Sequence, residues 1–239
     1  MRALSVLTFA AAVAFAISPA LTPDFGGFDP ELYPNPQLDP PVQPAGYAFA
    51  IWGVIYLWLL VSTGFGLVRR HDAPDWAPHR APLLVSLATG AIWLPVAMVS
   101  PIWATVLIFV MLASTAVSLA RAPTRDRWLA RAPIALYAGW LTAASFASLG
   151  LTGAGYGLLL GEVGWAYLGV ILAFLTTLAV HAMRRDEPVY FVSVIWALVA
   201  IAMANWGGVQ GVAWAALAGA AGLTALMLAS ILRARAARG

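Results

Sequence analysis

The chain has 239 residues, of which 62% are hydrophobic and only 10% charged, and its mean hydropathy is +0.84. Soluble domains run at roughly 45–50% apolar and about 25% charged, so a water-soluble enzyme domain is excluded and an integral membrane protein is expected. The absence of cysteine removes disulfides, thiolate metal sites and cysteine nucleophiles, and the net charge of +3 rests on thirteen Arg with no Lys.

Eight apolar segments follow one another at 3–20, 44–68, 82–99, 101–120, 132–150, 163–183, 188–206 and 209–232. Each is long enough, or nearly so, to cross about 30 Å of hydrocarbon as a helix. Helices are required because backbone groups in lipid must pair within their own segment. Met1–Ala20 reads in two ways: as the first span, or as a signal peptide ending at Ser18-Pro19-Ala20. The longest connection, 21–43, holds six Pro, four acids and no base. Repeated Pro forbids a continuous helix there. It is either a solvated connector or a lid anchored by Phe25, Phe28, Leu32 and Tyr33. Pro95 and Pro101 interrupt the third and fourth segments, which predicts a tight turn around Ser100–Pro101. The last segment is rich in small residues: Ala213, Ala216, Gly219, Ala220 and Gly222. Gly153, Gly157 and Gly161 continue that pattern in an outer loop. Close helix packing is the favoured reading, with a homodimer face as the alternative.

The Arg residues set the expected orientation. Arg2, Arg69, Arg70, Arg80, Arg121, Arg125, Arg127, Arg131, Arg184, Arg185, Arg233, Arg235 and Arg238 all fall on one side of an eight-span arrangement. That side is then cytoplasmic, and both termini with it. Asp24, Asp29, Glu31, Asp39 and Glu162 fall on the other side with no base. The fold class is therefore an all-α integral membrane protein of eight transmembrane helices. The sidedness of the charge argues for membrane lipid as a partner and against nucleic acid.

Little in the sequence suggests catalysis. No segment interior carries an acid, base or His; Glu162 and His181 sit at the ends of the sixth, and His71 and His79 in a loop. Intramembrane charge marks proton and ion pathways, so a proton-coupled pump is disfavoured. No phosphate loop, nucleophile elbow or paired carboxylate is present, so no catalytic residue, metal ligand or obligatory cofactor is assigned. The eleven Trp are the unusual feature. Trp103, Trp165 and Trp206 fit an interfacial belt at span ends. Trp52 and Trp140 do not, since each lies about 8 residues inside its span, roughly 12 Å deep. Such rings line a pocket for a planar apolar ligand, or simply pack against neighbouring helices.

The run Pro40-Pro41-Val42-Gln43-Pro44-Ala45-Gly46-Tyr47-Ala48-Phe49-Ala50-Ile51-Trp52-Gly53-Val54-Ile55-Tyr56 resembles the signature of the TspO/MBR family, the tryptophan-rich sensory proteins and peripheral benzodiazepine receptors. Trp52 and Tyr56 are four residues apart and share a helix face. Ala91-Ile92-Trp93-Leu94-Pro95 and Pro133…Tyr137…Trp140…Ala144 are similar to the family's third- and fifth-helix elements. Gly90 and Ala91 stand where the family has Asn, and Ser148 replaces a second Asn. The resemblance covers about residues 1–150, which reads as a five-helix bundle, with 151–239 as a three-helix extension.

The resemblance implies a receptor or regulator that binds porphyrin, haem or another planar hydrophobic ligand non-covalently. It implies a pocket lined by Trp52, Tyr56, Trp93 and Trp140, a rim shaped by Tyr47 and Phe49, further contacts from Pro95 and Ser148, and a lid over 21–43. Transport of tetrapyrroles or lipids, porphyrin degradation, and a ligand-free role as an assembly partner are the alternatives.

Overall fold

The computed structural model describes residues 2–22, 27–184 and 187–236. Phe25, one of the expected lid anchors, lies outside them, as do Arg185, Asp186 and Arg238. Eight helices take up the eight apolar segments: α1 (Arg2–Leu21), α2 (Ile51–Arg69), α3 (Ala77–Ala97), α4 (Pro101–Arg121), α5 (Arg131–Gly155), α6 (Glu162–Met183), α7 (Val189–Ala204) and α8 (Gln210–Ala236). Among the described residues there is no strand. Seven of the helices are long and apolar enough to cross a membrane, and α7 is an apolar helix of only 16 residues. The chain is a multi-pass membrane protein.

The helix boundaries follow local chemistry. Pro101 is the first residue of α4, where its missing N–H is no loss. Ser100 caps that end, its hydroxyl accepting from the Trp103 N–H at 3.4 Å. The tight turn expected at Ser100–Pro101 is therefore present. Pro95, in contrast, does not interrupt α3, which runs on to Ala97. It lies in the last turn, where little helix remains to be broken.

Two other boundaries correct the sequence reading. α3 begins at Ala77 rather than 82, so His79 and Arg80 belong to a spanning helix and are buried at 2% and 3% exposure. Arg80 can enter because its guanidinium donates to the carbonyls of Gly66, Arg70 and His71. It thereby satisfies the open carbonyls at the end of α2, a favourable place for a cation. α5 extends to Gly155, so Gly153 is helical and not in a loop. A Cβ at Gly153 would overlap the Trp165 indole of α6, and one at Gly155 would overlap the Tyr33 ring.

Successive helices run up and down, and contacts at the two ends establish this. At the Arg-rich end, Arg70 pairs with Asp126 at 2.7 Å, and Arg127 and Arg131 both pair with Glu187 at 2.9 and 3.1 Å. At the opposite end, Asn35 N–H donates to Gly155 O at 2.9 Å, and Asn205 Nδ2 donates to Pro41 O at 2.9 Å. α5 is the axis of the bundle. Arg131–Ala143 is an unbroken buried run, covered by α4, α6, α7 and part of α2. Close approach of α7 is possible because Gly139 faces the Tyr190 carbonyl, where any Cβ would overlap. α1 and α4 flank α3, and α8 closes over α6 and α7. Hydroxyls inside the bundle return to the carbonyl four residues earlier, as Thr63, Thr142 and Thr177 do. That local bond keeps a polar group tolerable in an apolar setting.

Candidate ligand-binding site

An aromatic chamber lies among α1 to α5 on the side of the bundle away from the Arg-rich end. Trp52 and Tyr56, one turn apart on α2, stack with centroids 5.3 Å apart and planes at 17°. The Trp140 indole of α5 meets Trp52 edge-on at 6.1 Å, and Phe49 meets Trp140 edge-on at 6.0 Å. Phe15 of α1 sets its ring edge against Tyr56 at 4.9 Å and against Trp52 at 5.7 Å. These rings, with Trp93 and Met111, line a cavity of about 330 Å³. A smaller, more outward cavity shares Phe49, Trp93 and Trp140 with it and adds Phe28, Ser148 and Ile201. Edge-to-face and offset contacts are the favourable geometries for aromatic rings, and they fix ring orientation as well as burial.

Hydrogen bonds hold the chamber rigid. Trp93 Nε1 donates to Ala104 O at 2.8 Å, tying α3 to α4. Beneath the chamber, Tyr137 and Ser86 hydroxyls are 3.0 Å apart, Thr115 donates to Ser86 at 2.6 Å, and Ser86 reaches Met111 O at 3.1 Å. This network links α3, α4 and α5 in the core, where an unpaired hydroxyl would be costly. Trp140 is the exception. Its indole N–H is buried and has no acceptor.

The loop after α1 closes over the chamber, which favours the lid reading over the solvated connector. Phe28 sets its ring against Trp93 at 6.1 Å. Tyr33 is buried at 4%, and that burial pushes its phenol above the ordinary tyrosine range. Val42 enters a notch between α5 and α6 formed by Gly150 and Gly169, each 3.0 Å from its methyl in the sense of an added Cβ. Ala45 N–H donates to Ala200 O at 3.1 Å, so the loop is also fastened to α7.

Six of the eight expected site residues come together: Trp52, Tyr56, Trp93, Trp140 and Phe49 around the inner cavity, and Ser148 at the outer one. Ser148 is engaged, its hydroxyl 2.7 Å from that of Thr105. Tyr47 does not shape the rim. Residues Gly46–Ala50 form a 3-10 turn, which rotates Tyr47 outward onto Trp196 at 5.5 Å, and it is 49% exposed. Pro95 is exposed and lines neither cavity, while its neighbours Trp93 and Leu94 do. Sequence reasoning missed Phe15 and Met111, each of which is a lone residue without a motif of its own, while Phe28, expected as a lid anchor, also lines the outer cavity. It also missed Asn205 as a lid anchor, although a lone Asn ending an apolar helix was a usable signal.

The fold and the chamber allow comparison with known proteins. A family model described as TSPO-like protein matches residues 3–229. The chain belongs to the TSPO-like family. The match reaches well beyond the first five helices, so α6, α7 and most of α8 lie inside the family's own extent. No curated protein and no solved structure matches the chain. Family membership supports a membrane ligand-binding or regulatory role in general terms. In this TSPO-like chain Gly90 stands at the place where the resemblance leads one to expect Asn. The Phe15 ring fills that space, 2.6 Å from where a Cβ would stand. An aromatic edge from α1 thus replaces a polar side chain from α3.

Proposed function

We propose that the chain is a receptor or regulator of the bacterial inner membrane that holds a planar hydrophobic ligand, of the tetrapyrrole class, in the aromatic chamber. The observation that carries this reading is the convergence of Trp52, Tyr56, Trp93, Trp140, Phe49 and Phe15 on one cavity beneath a fastened loop. Flat π-faces and edges favour a flat, polarisable guest. At about 330 Å³ the inner cavity is at the small end of the range typical for drug-sized ligands, roughly 300–1,000 Å³. A full tetrapyrrole would use both cavities, with Phe28 lifted from Trp93. The free N–H of Trp140 would then meet a carbonyl or carboxylate on the guest.

No His lines either cavity. Metal-free porphyrin and haem are therefore expected to bind within a few-fold of each other, and a strict requirement for iron would contradict this reading. Among the described residues the lining holds mainly rings, aliphatic side chains and isolated hydroxyls and no acid–base pair, and the proposed role is binding rather than catalysis. The test is titration of purified protein with protoporphyrin, followed by Trp fluorescence, beside a Trp52→Ala/Trp140→Ala double variant of verified fold. Saturable quenching lost in the variant supports the site. Non-saturating or equal quenching in both proteins means partition into the micelle and removes the tetrapyrrole reading.

A further inference from the structure

A second recess lies at the Arg-rich end, outside the aromatic chamber. It is a groove of about 890 Å³ between the start of α5, the start of α7 and the end of α8. Arg127, Arg131 and Arg235 line it, with Trp128 and Ser230 beside them. Arg127 is held in place from two sides. Its Nε and a terminal nitrogen donate to Glu187 at 3.0 and 2.9 Å, and its guanidinium lies 4.7 Å over the Trp128 ring. Glu187 also accepts from Arg131 Nε at 3.1 Å, and its side chain is wholly buried. One carboxylate thus faces two guanidinium groups, and the exposed Arg235 adds a third across the groove. The described lining is short of negative charge.

The groove does not stop at its basic end. Val192 lines it and also lines a separate, almost wholly apolar cleft between α2 and α7. That cleft continues past Ile195 and Val199 to Ala50 and Val54. From Val189 to Val199 the track covers about 15 Å at 1.5 Å per residue. That is half of a hydrocarbon core of about 30 Å, the depth of one leaflet. α7 itself has only 16 residues, or about 24 Å, which is shorter than that core. Its start at the basic end therefore draws headgroups inward or sits beneath them.

We propose that this groove and cleft together seat one phospholipid with an anionic headgroup. Its phosphate lies among Arg127, Arg131 and Arg235, and one acyl chain runs along Val192, Ile195 and Val199. A soluble anion would use the basic end alone and leave the apolar track empty. A zwitterionic lipid would fit the track but would bring no net negative charge to the exposed Arg235.

The test uses full-length protein in detergent, titrated with phosphatidylglycerol or with phosphatidylcholine of the same chains, with bound lipid counted by native mass spectrometry. Retention of one phosphatidylglycerol, in preference to phosphatidylcholine, is expected. Arg235→Gln, a surface change that leaves folding intact, should weaken retention by about fivefold, the effect of one basic group at a membrane surface. Val192→Trp, which fills the junction, should weaken it as well. Inorganic phosphate should not displace the lipid. Equal retention of the two lipids, retention unchanged in both variants, or displacement by phosphate alone would each overturn the proposal.

Discussion

Trp140 shows how much one side chain settles. Its depth in the sequence already set it apart from the interfacial Trp residues, and it is 2% exposed with an unpaired N–H. An unmet buried donor costs about 1–3 kcal/mol, so the chamber gains from a guest that supplies an acceptor. Trp140→Phe keeps most of the ring and removes the N–H. It is expected to weaken protoporphyrin binding by about threefold to tenfold, the worth of one hydrogen bond, when affinity is read by porphyrin absorbance. An unchanged affinity would mean that no ligand group meets this N–H. Other residues were less legible. The resemblance puts Tyr47 on the rim, but the 3-10 turn over Gly46–Ala50 changes the angle per residue and turns the ring outward onto Trp196. Phe15 could not be found from sequence, because nothing local in α1 says which neighbour its ring will meet.

At the scale of helices, the charged contacts at the Arg-rich end decide how α5, α6 and α7 start and stop. Glu187 ties the first turn of α7 to Arg127 and to Arg131 of α5, and also accepts from the Val189 N–H at 3.2 Å. Breaking a buried pair by removing one partner typically costs about 3–5 kcal/mol. Glu187→Ala should therefore lower the thermal midpoint markedly in detergent, whereas Glu31→Ala, on an exposed turn, should not. Similar midpoints for both would contradict the role assigned to Glu187. The Arg70–Asp126 pair makes a different prediction. Its hydrogen bond from Arg70 holds the Asp126 carboxyl below its ordinary range. A depressed carboxyl contributes stability that is complete above its unfolded value of about 3.9 and is lost as pH falls through the folded value. Midpoints of wild type and Asp126→Asn should thus differ near neutrality and converge below about pH 4. A gap that stays constant down the pH scale would sink this assignment. The number of helices and most of their ends were readable from hydropathy, Pro and Arg. The early start of α3 was not, because a scan for apolar runs stops at His79 and Arg80. It cannot foresee that the carbonyls ending α2 will receive the guanidinium.

For the molecule as a whole, the alternation of Arg-rich and acidic connections agrees with the up-and-down course of eight helices. The remaining question is which face meets the cytoplasm. Because the chain has no cysteine, single replacements report this cleanly. Asp72→Cys, at the Arg-rich end, should be shielded from a membrane-impermeant thiol reagent added outside sealed cells. Leu38→Cys, exposed at the opposite end, should react. The reverse pattern would invert the orientation expected from the basic residues. The five-plus-three division suggested by the sequence leaned on motif order. α5 belongs to the contacts of both groups, and α7 reaches the outer cavity through Ile201. What a short motif cannot convey is that a helix far along the chain returns to touch the same space.

The enclosure of α5 also bears on how the chain is made. Arg131–Ala143 has no exposed position, yet half of its cover, α6 and α7, is synthesised after it. A nascent α5 must therefore wait in the membrane with Gly139 and Thr142, which meet Tyr190 of α7 in the finished fold, turned toward lipid or toward the insertion machinery. Its own apolar residues suffice to keep it there, but its final neighbours arrive only once α6 and α7 have been made. Truncation after α5 should yield a species that inserts but is rapidly cleared by membrane proteases, while truncation after α8 should survive. Quality control of this protein would then read the surface of a single helix.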